Sequence, residues 1–269
     1  MARVIFIDDK NEPGLDDFRD LSTADRRPDR PGGRGLVIAE GTVVVERLLR
    51  SPYPVRALLG VERRIRDLAG DLAELDVPAY VTSAETMADV VGFHLNRGVL
   101  AVADRPAPLS VEGVIGGARV LAVLEGVGDH ENLGALFRNA AALGVDGVLL
   151  GAGCSDPLYR RSVRVSMGHV LRVPFATFDD WPGGLGRLRQ RGFTVAALTP
   201  RADSVSLRSL REAATGRVAL LLGSEGPGLS EEALAAADLT VRIPMAGGVD
   251  SLNVATAAAV AFYEVSERG

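Results

Sequence analysis

Apolar positions divide the chain into two stretches in which helix and strand patterns alternate. In the first, residues 36–104, Ala39–Leu49 places Val43, Val44, Leu48 and Leu49 on one side of a 3.6-residue repeat and predicts a helix. Val55–Val61 predicts a strand, Glu62–Leu75 a charged helix, and Pro78–Val81 a second strand. Ser83 is placed to cap a helix that begins at Ala84, because its hydroxyl can accept from a free N–H of the first turn. Gly98–Ala103 closes this small α/β domain of about 70 residues with a third strand. Pro106 and Pro108 break the pattern, so 105–117 reads as a linker.

The second stretch, 118–269, has stronger alternation. Its strand candidates are Arg119–Leu124, Gly147–Leu150, Val170–Ala176, Thr194–Leu198, Val218–Leu222 and Leu239–Ile243. Most are continuous apolar runs, as expected of parallel strands covered by helices on both faces. A final helix spans about Leu252 to Glu267. The expected fold class is α/β, with a wound parallel sheet of six strands. Residues 1–35 are polar and broken by Pro13, Pro28, Pro31, Gly32 and Gly33, and read as an irregular arm.

Composition narrows the chemistry. At 269 residues and 47% hydrophobic, the chain can bury a core without metals or disulfides. One cysteine, Cys154, excludes a disulfide framework, and three scattered histidines show no ligand spacing, so no metal is expected. No apolar run approaches the ~20 residues of a membrane span, and the N-terminus turns acidic at Asp8. A cytoplasmic protein is expected. The net charge of −5 gives no overall attraction to nucleic acid, so any such contact must be local. Two arginine clusters qualify: Arg26 and Arg27 in the arm, and Arg160, Arg161 and Arg164 near one face of a short helix. Each reads equally as a solvated surface.

In open α/β sheets, ligands sit beyond the carboxyl ends of strands, and three such loops stand out. Glu125-Gly-Val-Gly-Asp-His-Glu-Asn-Leu-Gly-Ala-Leu-Phe-Arg138 opens a helix on which Arg138 lies nearly two turns along from Asn132. Asn132 is placed where that helix starts, as a cap would be. Gly223-Ser-Glu-Gly-Pro-Gly-Leu-Ser230 is rich in glycine but has no Gly-Lys-Ser/Thr, so it is not a Walker loop. A buried Glu225 there needs a partner, and Arg138 is the obvious candidate. Ile243-Pro-Met-Ala-Gly-Gly-Val-Asp-Ser-Leu-Asn-Val-Ala255 leads into the last helix, with Ser251 in a capping position. Gly151-Ala-Gly153 fails the dinucleotide fingerprint because Asp156 stands where the third glycine belongs.

Taken together, Asn132-x-Gly134-x-x-x-Arg138, Gly223-Ser-Glu-Gly-Pro-Gly228 and Ile243-Pro-Met followed by Ser251-Leu-Asn-Val254 resemble the SpoU (TrmH-type) branch of the SPOUT RNA methyltransferases. The resemblance covers residues 118–266. Residues 36–104, with Ala39-Glu-Gly41, resemble the L30e-like RNA-binding domain often placed before it. One departure is visible: His130 follows Asp129 where the family often has proline.

The resemblance implies a C-terminal trefoil knot, which general topological rules would never propose. It implies S-adenosylmethionine as cofactor and transfer of its methyl group to a ribose 2′-OH of rRNA or tRNA. The cofactor contacts carry over to Gly223, Ile243 and Leu252, with Leu198 and Thr199 as further candidates. The catalytic set carries over to Asn132, Arg138, Glu225, Ser251 and Asn253. The family's proposed base is an arginine, here Arg138. A guanidinium ordinarily keeps its proton, so Arg138 as a phosphate clamp, oriented by Glu225, stays open beside it. The resemblance also implies a homodimer built on the last helix and the first-motif helix, the latter carrying Leu136, Phe137 and Ala140. The rival from another class is a non-catalytic RNA-binding or assembly protein that keeps the fold.

Overall fold

The computed structural model describes residues 2–21, 35–210, 216–247 and 249–266. It divides into two compact units: Met1–Ala107 with Leu158–Arg172, and Pro108–Pro157 with Val173–Gly269.

The first unit is built on a five-stranded mixed sheet. Its strands are β1 (Arg3–Phe6), β2 (Val37–Glu40), β3 (Val55–Gly60), β4 (Pro78–Val81) and β5 (Val99–Ala103), in the order β1-β4-β3-β5-β2. β1, β4 and β3 run parallel; β5 is antiparallel to both β3 and β2. Two of these strands depart from the sequence reading. β2 occupies residues assigned above to the start of a helix, which begins only at Thr42, after Gly41 at φ +90°. A fully buried strand has no period-2 alternation to reveal it, and every residue of β2 is buried. β1 lies in the stretch taken as an irregular arm. It pairs with β4, and Leu15 and Phe18 after it are fully buried in this unit's core. Arg26 and Arg27 fall outside the described residues.

Leu158–Arg172 joins this unit although it lies between strands of the other. The helix Arg160–Val165 buries Ser162 and Val163, Arg160 pairs with buried Glu40 at 3.5 Å, and Arg47 donates to the Met167 carbonyl. A Cβ on Gly168 would sit 3.3 Å from Val44, so the absence of a side chain lets this segment lie against the helix Thr42–Leu49.

The second unit carries seven parallel strands: β6 (Val120–Leu124), β7 (Gly147–Leu150), β8 (Phe175–Thr177), β9 (Phe193–Leu198), β10 (Val205–Ser206), β11 (Arg217–Leu222) and β12 (Leu239–Arg242), in the order β10-β12-β9-β11-β6-β7-β8. The wound parallel sheet is as expected, with a short seventh strand, β10, at one edge. The predicted strand Val170–Ala176 is instead a 3₁₀ turn, His169–Leu171, and the three-residue β8. Pro174 separates them, because it has no N–H to give to a ladder. The expected linker holds a short helix, Val111–Ile115, capped by Ser110.

Two longer helices shape one side of this unit. His130–Ala142 and Val254–Ser266 pack against each other. Phe137 and Phe262 are fully buried, each side chain contributing about 1.5–3 kcal/mol of transfer free energy. Small Ala255, Ala258 and Ala261 let the last helix approach closely, and Asn139 Nδ2 donates to the Ala255 carbonyl at 2.8 Å. Part of this helix's apolar surface is thus covered within one chain.

Candidate functional site

β12, β9 and β11 are neighbours, so their carboxyl ends, Arg242, Leu198 and Leu222, lie side by side. The loops beyond those ends enclose a cavity of about 590 Å³. That volume falls within the roughly 300–1,000 Å³ usual for small-molecule and cofactor sites. Leu198, Thr199, Gly223, Ile243 and Leu252 all line it, as do Glu225, Ser251 and Asn253. Residues predicted from three separate loops therefore share one site.

The glycine loop folds back on itself. Ser224 and Gly228 form an isolated antiparallel bridge, reinforced by the Ser224 hydroxyl on the Gly228 carbonyl at 3.4 Å. A Cβ on Gly223 would lie 2.4 Å from the Gly228 carbonyl carbon and 2.5 Å from Leu229 N. Gly223 is glycine because its own loop's backbone passes there. Gly226 and Gly228 have positive φ and open space where a Cβ would be, leaving bare peptide at the cavity.

Asn253 joins the three motifs. Its Oδ1 accepts from Ala255 N at 3.0 Å and Thr256 N at 3.2 Å, capping the last helix. The cap orients the amide, so Nδ2 faces outward. It donates to Asn132 Oδ1 at 2.8 Å and to Glu225 Oε1. Ser251, expected as the cap, is exposed at the cavity wall. Asn132 is not a cap either. Asp129 takes that position, accepting from Glu131 N at 2.8 Å and Asn132 N at 2.9 Å, which frees the Asn132 side chain to meet Asn253.

Glu225 is exposed, and its partner is Asn253, so the expected pairing with Arg138 is not formed. Arg138 is exposed on the same helix as Asn132 and has no hydrogen bond or ion pair among the described residues. Neither Arg138 nor Asn132 lines the cavity. His130 is the first residue of its helix and also lies outside the lining.

Arg160, Arg161 and Arg164 separate by environment. Arg160 is partly buried against Glu40, with its guanidinium 4.5 Å from the Phe93 ring centre. Desolvation lowers its pKa from the usual arginine value against the opposing pull of Glu40. Arg161 and Arg164 are exposed.

The sequence reading missed four participating residues. Asp129 was passed over because Asn132 was read as the cap of that helix. Arg201 and Glu231 form an ion pair on the cavity lining, and nothing in their spacing announces it. Glu125 directly follows β6 and is buried, a charged residue straight after an apolar run, which was the available signal.

The lining suits a particular ligand class. Apolar Leu198, Leu229, Ile243 and Met245 offer a flat ring a dry wall, bare peptide offers hydrogen bonds, and Glu225 and Glu231 favour cationic groups. Among the described residues, no cluster could hold a metal ion.

This chain is similar to several known proteins. An uncharacterized tRNA/rRNA methyltransferase of Mycobacterium tuberculosis is 56% identical over 97% of this chain and 91% of its own length. The 23S rRNA guanosine 2′-O-methyltransferase RlmP of Bacillus subtilis is 29% identical over 85% of this chain and 87% of its own. The crystal structure of an AdoMet-bound rRNA methyltransferase from Sinorhizobium meliloti superposes with a TM-score of 0.78 at 25% identity, covering 97% of each chain. The family model of the SpoU rRNA methylases matches residues 119–263, and the chain belongs to that family.

Proposed function

We propose that this chain is an S-adenosylmethionine-dependent methyltransferase that modifies a ribose 2′-OH of rRNA or tRNA. The observation that carries the reading is the Asn253 amide, which holds Asn132 and Glu225 together at the mouth of the cavity. RlmP, a relative over most of both chains, is named for 2′-O transfer.

The residues fit the cofactor. Leu198, Ile243 and Leu252 would flank its adenine, and backbone around Thr199 and Gly223 would meet its polar edges. When bound, it supplies a methyl carbon already activated by a positive sulfonium. The chain's own task is mostly positioning. Asn253 fixes Glu225 and Asn132, and the bonds it makes restrict both side chains before RNA arrives. Ser251, exposed on the lining, is placed to orient an incoming hydroxyl. Arg138 has no hydrogen bond or ion pair among the described residues and lies nearly two turns along from Asn132. That freedom favours a clamp on the target's phosphate over a pre-set base.

The finer assignments belong to the same proposal. The loops around the cavity thread as a trefoil knot. The first unit acts as an L30e-like RNA-binding domain, with Arg161 and Arg164 as phosphate contacts. The working form is a homodimer, supported by exposed Val260 and Tyr263 on the last helix. The setting is cytoplasmic; no helix of the described residues is long and apolar enough to cross a membrane.

Calorimetry with S-adenosylmethionine tests the cofactor. Incubation with rRNA and tRNA transcripts, followed by mapping of alkali-resistant phosphodiester bonds, tests the product. Methyl groups on bases, with none on ribose, would overturn the 2′-O assignment. Absence of cofactor binding would favour the non-catalytic rival.

A further inference from the structure

Glu125 sits directly after β6, 9% exposed, and outside the set of residues that line the cavity. A buried carboxylate is costly unless its oxygens are satisfied, and this one accepts three hydrogen bonds. Trp181 Nε1 donates to Oε1 at 2.6 Å, Ser230 Oγ to Oε1 at 2.8 Å, and Ser230 N to Oε2 at 2.8 Å. Ser230 immediately follows the glycine loop. It also caps the helix Glu231–Ala235 through Ala233 N at 3.2 Å.

The same turn grips the other end of that loop. Glu125 N donates to the Leu222 carbonyl at 2.9 Å. Gly126, at φ +69°, lies where a Cβ would be 3.2 Å from Ser224. Glu125 and Gly126 thus hold both ends of a loop already closed by the Ser224–Gly228 bridge. The residues so fixed include Glu225, which Asn253 ties to Asn132. Glu125 is therefore linked, through the backbone of this loop and the Glu225–Asn253–Asn132 hydrogen bonds, to the helix that its own turn introduces.

We propose that Glu125 is a positioning residue for methyl transfer. Its carboxylate sets the neck of the Gly223–Leu229 loop, and so the placement of Glu225 and of the bare peptide that faces the cofactor. Trp181 completes the clamp. As the chain's single tryptophan, it also reports optically on the state of the loop. The inference rests on the methyl-donor reading of the cavity.

The test compares the full chain as wild type, Glu125→Gln and Trp181→Phe. The glutamine keeps the shape but turns one acceptor into a donor facing the Ser230 N–H. Hydrogen bonds to a charged group are strong enough for their loss to weaken S-adenosylmethionine binding by about tenfold. Calorimetry should show that loss in Glu125→Gln, with turnover at saturating cofactor at least ~10-fold lower, the direction expected of a displaced positioning group. Trp181→Phe removes one donor of three and should show a smaller loss of the same kind. Wild-type tryptophan emission should change on cofactor titration along the calorimetric isotherm, and the change should vanish in Glu125→Gln. A Glu125→Gln chain that melts at lower temperature but binds and turns over within about twofold of wild type would show a merely structural role and overturn the proposal. Should that variant not fold, Ser230→Ala and Ser230→Thr decide. Threonine, which restores the hydroxyl donor, must recover both affinity and turnover; an alanine chain with wild-type values overturns the proposal. A wild type that gives no heat with S-adenosylmethionine overturns the reading of the cavity itself, before any variant is compared.

Discussion

Asn132 and Asn253 stand 121 positions apart in the chain, yet their side-chain amides meet at 2.8 Å. The contact exists because each asparagine's surroundings settle its other bonds. Asp129 caps the first helix, so Asn132 has no capping duty. Asn253 caps the last helix with its oxygen, so only its nitrogen remains for Asn132 and Glu225.

That division of labour can be separated by substitution. Asn253→Asp keeps the capping oxygen, and the two residues cap about equally well. It removes both donated bonds and sets a second carboxylate beside Glu225. Melting should change little, while methyl transfer falls by about 10²-fold, the scale of a misplaced reacting group. Asn253→Ala loses the cap as well and should also cost about 0.5–2 kcal/mol of stability. Equal activity in wild type and Asn253→Asp would remove the amide bridge from the mechanism.

Two glycines of one loop should respond differently to a methyl group. At Gly223 the added carbon meets backbone at 2.4 Å, which cannot step aside. Gly223→Ala should reshape the loop and abolish measurable cofactor binding, with a lowered melting temperature. At Gly226 the space is open and the penalty is the left-handed backbone alone, about 1–2 kcal/mol. Gly226→Ala should therefore bind cofactor more tightly than Gly223→Ala, a ranking that parallel titrations would read directly.

Arg138 lies off the cavity lining, so Arg138→Ala should leave cofactor affinity near wild type. Turnover should fall by roughly 10²–10⁴-fold if the guanidinium takes part in proton transfer. Arg138→Lys separates the roles. A phosphate clamp keeps most of its charge in lysine and should retain a substantial part of the activity, whereas a base matched to the guanidinium should not. Single-turnover rates with saturating cofactor distinguish the two.

The sheet of the second unit was legible because its inner strands are unbroken apolar runs, such as Val120–Leu124, every residue of which is buried. β1 was hidden for the opposite reason: all four of its residues are exposed, so no buried face marks it. The residues of the site were found through their resemblance to a family, while their bonds were not. Asp129 and Asn132 are both good capping residues, and only the backbone of the turn decides between them. Glu225 seemed to need Arg138 because a glycine loop between strand and helix suggests burial. The loop instead curls outward over its own Ser224–Gly228 bridge and exposes the carboxylate.

The three arginines of Arg160–Val165 should divide in solution as they do in the structure. Arg160→Ala strands Glu40, 7% exposed, without its partner and should cost about 1–3 kcal/mol. Arg161→Ala and Arg164→Ala each remove an exposed guanidinium. Each should weaken RNA binding and lower the slope of log affinity against log salt by about 1. Unaltered salt slopes in both variants would take this helix out of the RNA interface.

The last helix carries the proposed dimer surface. Its inner side, including Ala258, Ala261 and Phe262, is buried within the chain, where the helix packs against His130–Ala142. On the rest of its surface Val260 is 42% exposed and Tyr263 56%, one turn apart. An apolar pair flanked by Thr256 and Glu264 is too small to be an aggregation hazard, yet it can seed a two-fold contact. In such a contact the same patch meets itself, so each substitution acts twice. Wild type should sediment at low micromolar concentration at about twice its 28.3 kDa chain mass. Val260→Asp with Tyr263→Glu places like charges against their own copies and should give a folded monomer. If activity needs both chains, that monomer should be inactive even where its cofactor affinity persists. A wild type that is monomeric and fully active would overturn the dimer.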